Sequence, residues 1–470
     1  MNKPIHINNF QKGIAISPLF GFQEIRGLNI TDKPGFIYSN RALVDDDNNT
    51  AVDDFMLGMV KTSEGEVWGY SREGGNHVFK RTSGGVWSEL TAHTDTGING
   101  ITFWKGYVAI IQGGSIDWYD IADDTCESGW SASVITSNAT HPTIHAQDDA
   151  LYLGAGNVID KIVEDTDFLP ETGATYTITK AAFTLPEDYT ITCFEELGSK
   201  LLIGTKKAGD DLSAKIFVWD RAKTTLDGII KIEDEGVWEM ITINNLTYVR
   251  AGLKGRWYVT DGTNVRLLGE IPTTLLDLTS VNLAYHGNSF NIGDLIYFPV
   301  GYGSALSHLG LYSINIHTGV VNYEHIISAN ETGENEGVLI GGCMPVGGAT
   351  TNFVVAWWDL NAPAYGVDNL SATKYTSDRT FLISEWYQLG FDGEENSLER
   401  PVLKLAQPLA SGDSVKVYYR EALNGSWTEH YSEDTVDFQE GAMDAINDIQ
   451  NIQFKVVLNK DAMLEAIILV

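Results

Sequence analysis

Two histidines and several acidic runs are the residues whose types and spacing could hold a metal ion. His141 and His145 are four residues apart, a spacing at which strand side chains share a face, but Pro142 lies between them and no third ligand is close in sequence. The acidic runs at residues 45–49 and 123–124 could bind Ca²⁺ through oxygen, but they lack the glycine and the distal glutamate of a calcium loop. We therefore interpret the histidines as part of a structural turn and the acidic runs as solvated loop tips, and we predict no bound metal.

Catalytic side chains do not form a recognisable set. The sequence has no Gly-x-Ser-x-Gly nucleophile elbow and no Gly-x-x-x-x-Gly-Lys-Ser/Thr phosphate loop. A sialidase would repeat Ser-x-Asp-x-Gly-x-x-Trp boxes, which Thr260-Asp-Gly-Thr and Ser377-Asp-Arg-Thr match poorly. Glycoside hydrolysis needs two facing carboxylates; with 63 Asp and Glu residues some pair is inevitable, but none stands out. We predict that the chain is not an enzyme and has no cofactor.

Several aromatic rings could instead form a surface that stacks on sugars. Rings of this kind occur in segments that otherwise have the composition of strands, where a core position is the more common role. The tryptophans concerned are Trp118, Trp219, Trp257 and Trp357. We predict that they belong to the core.

The charge balance excludes one class of partner. The chain has 470 residues, with 31 Lys and Arg against 63 Asp and Glu, a formal charge of -32. Such a surface cannot grip the phosphate backbone of a nucleic acid by counterion release, and anionic membranes are disfavoured for the same reason. Because 43% of the residues are hydrophobic and 11% aromatic, the chain is expected to bury a real core under an acidic surface. No apolar run reaches the length of a membrane span, so we predict no membrane insertion.

A repeat of short alternating segments organises the middle of the chain. Seven segments begin near residues 55, 101, 143, 191, 238, 281 and 338, at spacings of 46, 42, 48, 47, 43 and 57 residues. Four-stranded propeller blades have about this length. In most groups one strand carries an aromatic residue followed by a polar turn, and we expect that ring to pack on the neighbouring blade. The pattern predicts an all-β fold, a β-propeller of about seven blades.

The two flanks differ from the repeat in charge. Residues 1–41 hold five Lys and Arg against two Asp and Glu, a net charge of +3, whereas residues 385–470 hold six against 16, a net charge of −10. We divide the chain into an N-terminal arm and linker (1–51), which partly closes the propeller, the propeller (52–384) and a C-terminal antiparallel β-sandwich (385–470). We expect Pro34-Gly-Phe-Ile-Tyr-Ser to complete the last blade, so that residues 34–44 pair with a strand beyond residue 330. The turn-rich stretch 361–376 does not divide into clean strands.

Both ends of the chain resemble a known family. The leader reads Asn9-Phe-Gln-Lys-Gly-Ile-Ala-Ile-Ser-Pro-Leu-Phe-Gly-Phe, followed by Gly27-Leu-Asn-Ile and Lys33-Pro-Gly-Phe-Ile. The C-terminal part contains Ser414-Val-Lys-Val-Tyr-Tyr-Arg, Gly425-Ser-Trp-Thr, Ile449-Gln-Asn-Ile-Gln-Phe-Lys-Val and Ala466-Ile-Ile-Leu-Val. These segments look like the opening and the terminal strands of the tail nozzle (tail hub) proteins of short-tailed bacteriophages. The blades themselves match no family motif.

The resemblance implies a structural virion component without catalytic residues. Such a protein forms a homo-oligomer, usually a hexameric ring, below the portal and the adaptor, and DNA leaves through this ring. The implied partners are adaptor (head-to-tail connector) proteins, tail fibres or spikes, and DNA that passes without specific binding. The implied location is the virion tail, after synthesis in the host cytoplasm. An acidic lumen would repel DNA and prevent it from sticking, whereas the simpler alternative is that the acids only improve solubility.

The basic leader suggests an arm that docks on an acidic neighbouring subunit or on the adaptor. Apolar anchors and two cations would supply the contacts. The residues of this subunit-interface arm are Phe10, Lys12, Ile14, Ile16, Leu19, Phe20, Phe22 and Arg26. The alternative is a leader folded on its own propeller.

The sequence is also compatible with other classes of function. A glycan-binding or host-recognition propeller, either a tail spike or fibre or a surface lectin, would place aromatic and amide residues at the blade-top loops. A propeller glycoside hydrolase is a weaker alternative, because it would need a carboxylate pair that the sequence does not single out.

Overall fold

Short segments in which apolar residues alternate with polar ones form the strands of this protein, since successive side chains of a strand point to opposite faces. The computed structural model describes the chain except for residues 1–4, 8–23, 31–35, 47–50, 72–76, 91–96, 123–124, 128–134, 166–175, 210–212, 254, 272–287, 302–308, 331–336, 348–351, 361–363, 376–379, 390–395, 424 and 470. Among the described residues there is no α-helix, and one 3-10 helix covers Ser328–Asn330. No helix in this part of the chain has the length and apolar character needed to cross a membrane.

Blades 1 to 5 are four-stranded sheets in which each strand pairs with the next along the chain. The strands of blade 1 are Met56–Lys61, Val67–Ser71, Val78–Arg81 and Trp87–Glu89. Blade 2 has Ile98–Trp104, Tyr107–Gln112, Ser115–Asp120 and Thr125–Glu127, and blade 3 has Thr140–His145, Ala150–Ala155, Val158–Glu164 and Tyr176–Thr184. Blade 4 has Tyr189–Leu197, Lys200–Lys207, Ala214–Trp219 and Gly228–Ile232, and blade 5 has Val237–Ile243, Leu246–Ala251, Arg256–Thr260 and Val265–Glu270.

Blades 6 and 7 complete the ring. Blade 6 consists of Phe290–Ile292, Leu295–Val300, Gly310–Asn315 and Val321–His325. Blade 7 contains Val338–Val346, Asn352–Asp359 and Ala364–Lys374, and its fourth strand is Arg41–Asp45 from the N-terminal part of the chain. The prediction of an all-β propeller is therefore confirmed. The sixth predicted start, near residue 281, lies outside the described residues.

Aromatic residues pack between neighbouring blades as expected, and Trp118 and Trp219 do so from the third strand of their blades. Trp118 of blade 2 lies 5.9 Å from Tyr176 of blade 3, measured between ring centroids. Trp219 of blade 4 lies 4.8 Å from Phe183 of blade 3. All four tryptophans considered as sugar platforms, at positions 118, 219, 257 and 357, are at most 4% exposed. Their prediction as core residues is confirmed.

The closure of the ring differs in detail from the prediction. Residues 41–45 pair with the last strand of blade 7, in a register that places Leu43 opposite Leu370. The expectation that residues 34–44 pair beyond residue 330 is thus met. The segment 34–39, however, was expected to complete the last blade, and its strand Ile37–Ser39 pairs with Met463–Leu469 in the terminal region instead; residues 34 and 35 lie outside the described residues. The turn-rich stretch 361–376 also differs from the expectation, because it contains a regular strand. Ala364–Lys374 forms the longest strand of the blade because it is paired on both sides.

Asp46 ties the closing strand to two blades. Its carboxylate accepts hydrogen bonds from Arg81 Nε at 2.5 Å and from Trp87 Nε1 at 2.8 Å, both in blade 1. It also accepts a hydrogen bond from the amide nitrogen of Asn369 in blade 7. The Asp46 side chain is only 3% exposed. The prediction of a solvated loop tip is therefore wrong at Asp46, and residues 47–49 lie outside the described part of the chain.

Strands from both ends of the chain build the terminal region. One sheet contains Ile5–Ile7, Leu28–Asn29, Ile37–Ser39, Met463–Leu469, Val402–Leu405 and Glu440–Ala442. The other contains Glu24–Arg26, Phe381–Ile383, Tyr387–Gln388, Asn451–Asn459, Ser414–Arg420 and Thr428–Glu433, and it continues into blade 6 through Glu24–Arg26. Asn396–Leu398 and Ile446–Ile449 form a separate pair.

The terminal region and the propeller share one apolar core. Ile25, Val456 and Ile467 from the two terminal sheets belong to the same buried cluster as Phe298 of blade 6 and Phe353 of blade 7. The division into an arm (1–51) and a separate sandwich (385–470) thus differs from the observed arrangement, because strands between residues 5 and 39 complete the sandwich sheets. The two parts of the protein therefore pack against each other through this shared core.

Candidate functional site

The innermost strands of the propeller enclose a cavity of about 540 Å³. Its walls are residues of the first strands of blades 1 to 5, Tyr70 of the second strand of blade 1, and Asn288 and Ser289, which precede blade 6. Pockets that hold small molecules have volumes of about 300–1,000 Å³. The axial cavity is therefore large enough for a small ligand and far too small for a DNA duplex.

Glu195 is a polar wall residue of this axial cavity with an unusual protonation equilibrium. It lies on the first strand of blade 4, and its Oε1 accepts a hydrogen bond of 2.9 Å from the backbone N–H of Thr242 in blade 5. Burial disfavours the charged form and raises the pKa of Glu195 to about 7, and the negative charges of Glu239 and Glu196 act in the same direction. Near neutral pH this carboxyl group can therefore hold or release a proton.

Glu239 occupies a similar place one blade further on. Its carboxylate accepts hydrogen bonds from the backbone N–H of Ser289 and, at 2.5 Å, from the Ser289 hydroxyl group. Arg250 Nη2 lies 3.0 Å from Glu239 Oε2, and the Arg250 side chain is only 1% exposed. Because burying an isolated guanidinium group is costly, Glu239 is needed to balance the charge of Arg250.

Carboxylates at the inner strands thus connect consecutive blades. Glu196 of blade 4 accepts a 2.8 Å hydrogen bond from the backbone N–H of Ala146, which follows the first strand of blade 3. Glu195 connects blade 4 to blade 5, and Glu239 connects blade 5 to the segment before blade 6. A glycosidase needs two carboxylates that act on a substrate between them. In this cavity the carboxylates are hydrogen-bonded to protein groups, an arrangement that stabilises the ring.

The two histidines of the predicted metal pair do not converge. They lie on a strand with a bulge between Thr140 and Thr143, so the predicted turn is wrong. His141 lines the axial cavity and keeps contact with solvent there; partial desolvation by the cavity walls and the positive charge of Lys206 lower its pKa. The fully buried His145 side chain accepts a 3.0 Å hydrogen bond from Arg221 of blade 4, and burial together with the charge of Arg221 lowers its pKa. Among the described residues, one mixed group has metal-ligand spacing, namely Asp53, His77 and Glu89 in blade 1.

The predicted interface arm lies almost entirely outside the described residues. This applies to Phe10, Lys12, Ile14, Ile16, Leu19, Phe20 and Phe22. Arg26 is described and is 4% exposed. Its guanidinium carbon lies 5.8 Å from the ring centroid of Tyr323 and 5.9 Å from that of Phe381. Arg26 therefore packs inside its own chain, as in the alternative of a leader folded on its own subunit.

The sequence contained a usable signal for the axial carboxylates. Glu195 and Glu239 come four residues and one residue after the predicted blade starts at Ile191 and Trp238. An acidic residue close to the start of an innermost strand is a candidate for the channel wall. This signal does not single out the two residues by itself, because 63 acidic residues provide many equivalent candidates.

The fold defines the chain as a β-propeller protein whose two ends are joined in a sandwich. No family model and no curated protein matches the sequence. One similar solved structure is that of the computationally designed Ika8 protein, at 13% identity and a TM-score of 0.41, covering 73% of this chain and 95% of that chain. Another is the mitotic checkpoint complex, at 12% identity and a TM-score of 0.47, covering 72% of this chain and 94% of that chain. These likenesses concern the fold alone.

Proposed function

We propose that this chain is a structural virion component, the tail nozzle or tail hub subunit of a short-tailed bacteriophage. In this role it forms a homo-oligomeric ring, a hexamer, below the portal and adaptor, and it conducts DNA without catalysing a reaction. The resemblance of the leader and of the terminal strands motivates the proposal. It also names the partners, which are adaptor proteins and tail fibres or spikes, and the location, which is the virion tail.

The observation that supports the proposal most is the way the two chain ends are fastened together. Ile5–Ile7 pairs with the last strand, placing Ile5 opposite Leu469. Glu24–Arg26 lies between Val321–His325 of blade 6 and Phe381–Ile383 of the terminal region. A subunit built in this way cannot lose either end without breaking a sheet, which suits a component that bears force while DNA passes.

The leader between these strands is anchored at both ends. Residues 8–23 connect a strand of one terminal sheet to a strand of the other. The docking residues between positions 10 and 22 therefore belong to a segment that joins two strands of the terminal region, whereas Arg26 lies on the second of these strands.

A conduit for DNA must lie between copies and not along the propeller axis. The axial cavity, with a volume of about 540 Å³, cannot admit a duplex. The acid excess of the terminal region lies in its C-terminal part, since residues 385–470 have a net charge of −10 whereas residues 1–41 have a net charge of +3. If these faces line the lumen, they repel DNA along its path. The alternative is that the acids serve only solubility, in which case reversing their charge should leave the rate of DNA ejection unchanged.

Electron microscopy of the purified full chain tests the assembly. A sixfold ring with a channel wide enough for a duplex is expected. A trimeric spike, or a chain that stays monomeric both alone and with the adaptor, would contradict the nozzle. Because nozzle assembly can require its neighbour, the same images should be recorded with the adaptor of the virus that encodes the chain.

Charge reversal tests the role of the acids. Asp444 and Asp448 are exposed on the terminal region, and changing both to Lys should slow DNA ejection while the ring still assembles. Glu187 and Glu233 are exposed in the segments just before and just after blade 4, and their reversal provides a control with the same change in net charge. Unchanged ejection kinetics in the Asp444/Asp448 variant would contradict the hypothesis that acidic lumen faces repel DNA. Solubility would then remain as the explanation of the acid excess.

A second candidate function is suggested by the axial cavity, whose volume and polar walls suit a small ligand. A glycan-binding or host-recognition propeller is the corresponding protein class. Its signature would be binding on a glycan array, lost when Trp238 in the cavity wall is replaced by Ala. Absence of glycan binding together with a sixfold ring would favour the nozzle.

A further inference from the structure

A mixed group of three side chains comes together at one end of blade 1. Asp53 precedes the first strand, His77 immediately precedes the third, and Glu89 ends the fourth. One possible ligand atom from each of the three residues lies within 4.8 Å of both others. The group is separate from the axial cavity, because none of the three residues lines that cavity.

The strand register explains why His77 and Glu89 meet. Glu89 pairs directly with Phe79, and His77 is two residues before Phe79, so all three side chains share one face of the sheet. His77 Nδ1 lies 2.5 Å from Glu89 Oε1, and the His77 ring stacks on the Phe79 ring at a centroid distance of 5.9 Å. The backbone carbonyl of His77 accepts a 2.9 Å hydrogen bond from Ser71 N–H, which fixes the start of the strand.

Asp53, the third possible ligand, lies in a segment whose neighbouring residues are buried. Asp53 lies between Val52 and Asp54, both of which are 2% exposed. Asp54 Oδ1 accepts a 2.7 Å hydrogen bond from Phe55 N–H, so this acid anchors the turn into the first strand. Asp53 itself is exposed, and the side chains of His77 and Glu89 are 30% and 33% exposed. The cluster is therefore built on ordered backbone and is open to solvent on one side.

The donor set selects a class of ion. Zn²⁺ bonds to imidazole nitrogen and carboxylate oxygen at about 2.0–2.2 Å, so two ligands of one ion lie about 3–4 Å apart. The observed spacing needs only small side-chain movements to reach this value. Imidazole suits first-row transition ions, whereas Ca²⁺ and Mg²⁺ prefer oxygen ligands alone. Three protein ligands with an open side leave room for water to complete the coordination.

We propose that Asp53, His77 and Glu89 bind one divalent transition-metal ion of the Zn²⁺ type at this end of blade 1. Two carboxylates would balance the charge of the ion, and the imidazole would give selectivity over Ca²⁺. By joining the segment before the first strand to the third and fourth strands, the ion would fasten the whole blade. Because the blade also carries Arg81, which binds Asp46, the ion would stabilise the seam of the ring.

Calorimetric titration of the full, tag-free, metal-stripped chain with ZnCl₂ alone tests the proposal. One Zn²⁺ per chain is expected, with little heat from CaCl₂. Changing His77→Ala or Glu89→Gln should weaken Zn²⁺ binding at least about tenfold, since each change removes a ligand. A matched control is His317→Ala, because His317 Nε2 lies 3.3 Å from Asp294 in an exposed histidine–carboxylate pair outside this cluster.

Two outcomes would overturn the proposal. The first is the absence of one-to-one Zn²⁺ uptake by the wild-type chain. The second is equal affinity in the wild type and in folded Glu89→Gln and Asp53→Asn variants, which would place the ion elsewhere. If His77→Ala fails to fold, as judged by circular dichroism, the two isosteric carboxylate variants decide the question. X-ray absorption at the zinc edge should show one nitrogen and several oxygen ligands, and a sulfur-rich shell would also contradict the assignment.

Discussion

Replacing Asp46 by Asn should open the seam of the propeller. Asp46 is bound by Arg81 and Trp87 of blade 1 and by Asn369 of blade 7, and its backbone N–H donates a 2.7 Å hydrogen bond to Val367 O. The side chains of Arg81 and Asp46 are 9% and 3% exposed. The change to Asn keeps the shape and removes the charge, so the buried guanidinium group loses its counterion.

The expected loss follows from this burial. Breaking a buried ion pair by removing one partner costs about 3–5 kcal/mol, whereas a surface pair is worth about 0–1 kcal/mol. Since about 1.4 kcal/mol changes an equilibrium constant tenfold, opening of the closing strand should become roughly one hundred to several thousand times more frequent. Such a change is a large part of the 5–15 kcal/mol that stabilises a typical native protein.

Hydrogen–deuterium exchange of the peptide that contains residues 41–46 measures this local opening directly, without assuming that all blades unfold together. Its amides should exchange at least about a hundredfold faster in Asp46→Asn than in the wild type. A matched control is Glu233→Gln, which removes one partner of an exposed pair with Lys231, whose side chains are 78% and 62% exposed, and it should leave the peptide unchanged. An increase of less than tenfold in Asp46→Asn would refute the conclusion that Asp46 fastens the seam.

Three further outcomes follow from the structure. Changing Gly341→Ala should cost at least about 1–3 kcal/mol, because a Cβ atom at Gly341 would lie 1.8 Å from Met56 O across the seam. Gly84→Ala, whose nearest contact would be 3.7 Å, is the control, and equal denaturant midpoints for both variants would contradict this close approach. The pKa of Glu195 is raised from 4.5 to about 7, so the native state keeps a proton that the unfolded chain releases. The wild type should therefore lose stability as the pH rises from about 4.5 to 7, and the Glu195→Gln variant should not. If the denaturant midpoints of the two proteins change by the same amount between pH 5 and pH 8, Glu195 is not protonated in the native state. Replacing residues 8–22 by a Gly/Ser linker of equal length keeps Ile5–Ile7 in its sheet and should abolish ring assembly, as seen by light scattering; an unchanged oligomer would eliminate the docking role of the leader.

Local residue patterns were sufficient for the parts of the fold that depend on neighbours in the chain. Alternation with a period of two identified the strands, and a repeat of 42 to 57 residues indicated seven blades. The strand predicted at Ser414 is observed as Ser414–Arg420. These features were predictable because strand formation and turns are governed by residues a few positions apart.

Local residue patterns do not predict which side chains come together at functional positions. Asp46 belongs to an acidic run typical of a solvated loop, and it is buried because Arg81, 35 positions away, lies opposite. His77, Asp53 and Glu89 are brought together by strand pairing within blade 1, and no spacing rule for metal ligands joins them. Clusters of this kind depend on side chains from several strands, which a linear motif does not represent.

The closing of the ring shows most clearly where local sequence stops determining the fold and long-range pairing begins to do so. Residues 37–39 and 41–45 both form strands, and their composition gives no reason to assign one to the propeller and the other to the sandwich. The choice depends on which open sheet edge each meets: Ala364–Lys374 offers one, and Met463–Leu469 offers the other. An unpaired edge exposes backbone groups that must find a partner, and partners more than 300 residues away are selected by the folded surface and not by local sequence. Local pattern therefore determined that the chain forms strands and how many blades it has, while long-range pairing decided how the ring is closed and how the two chain ends are joined.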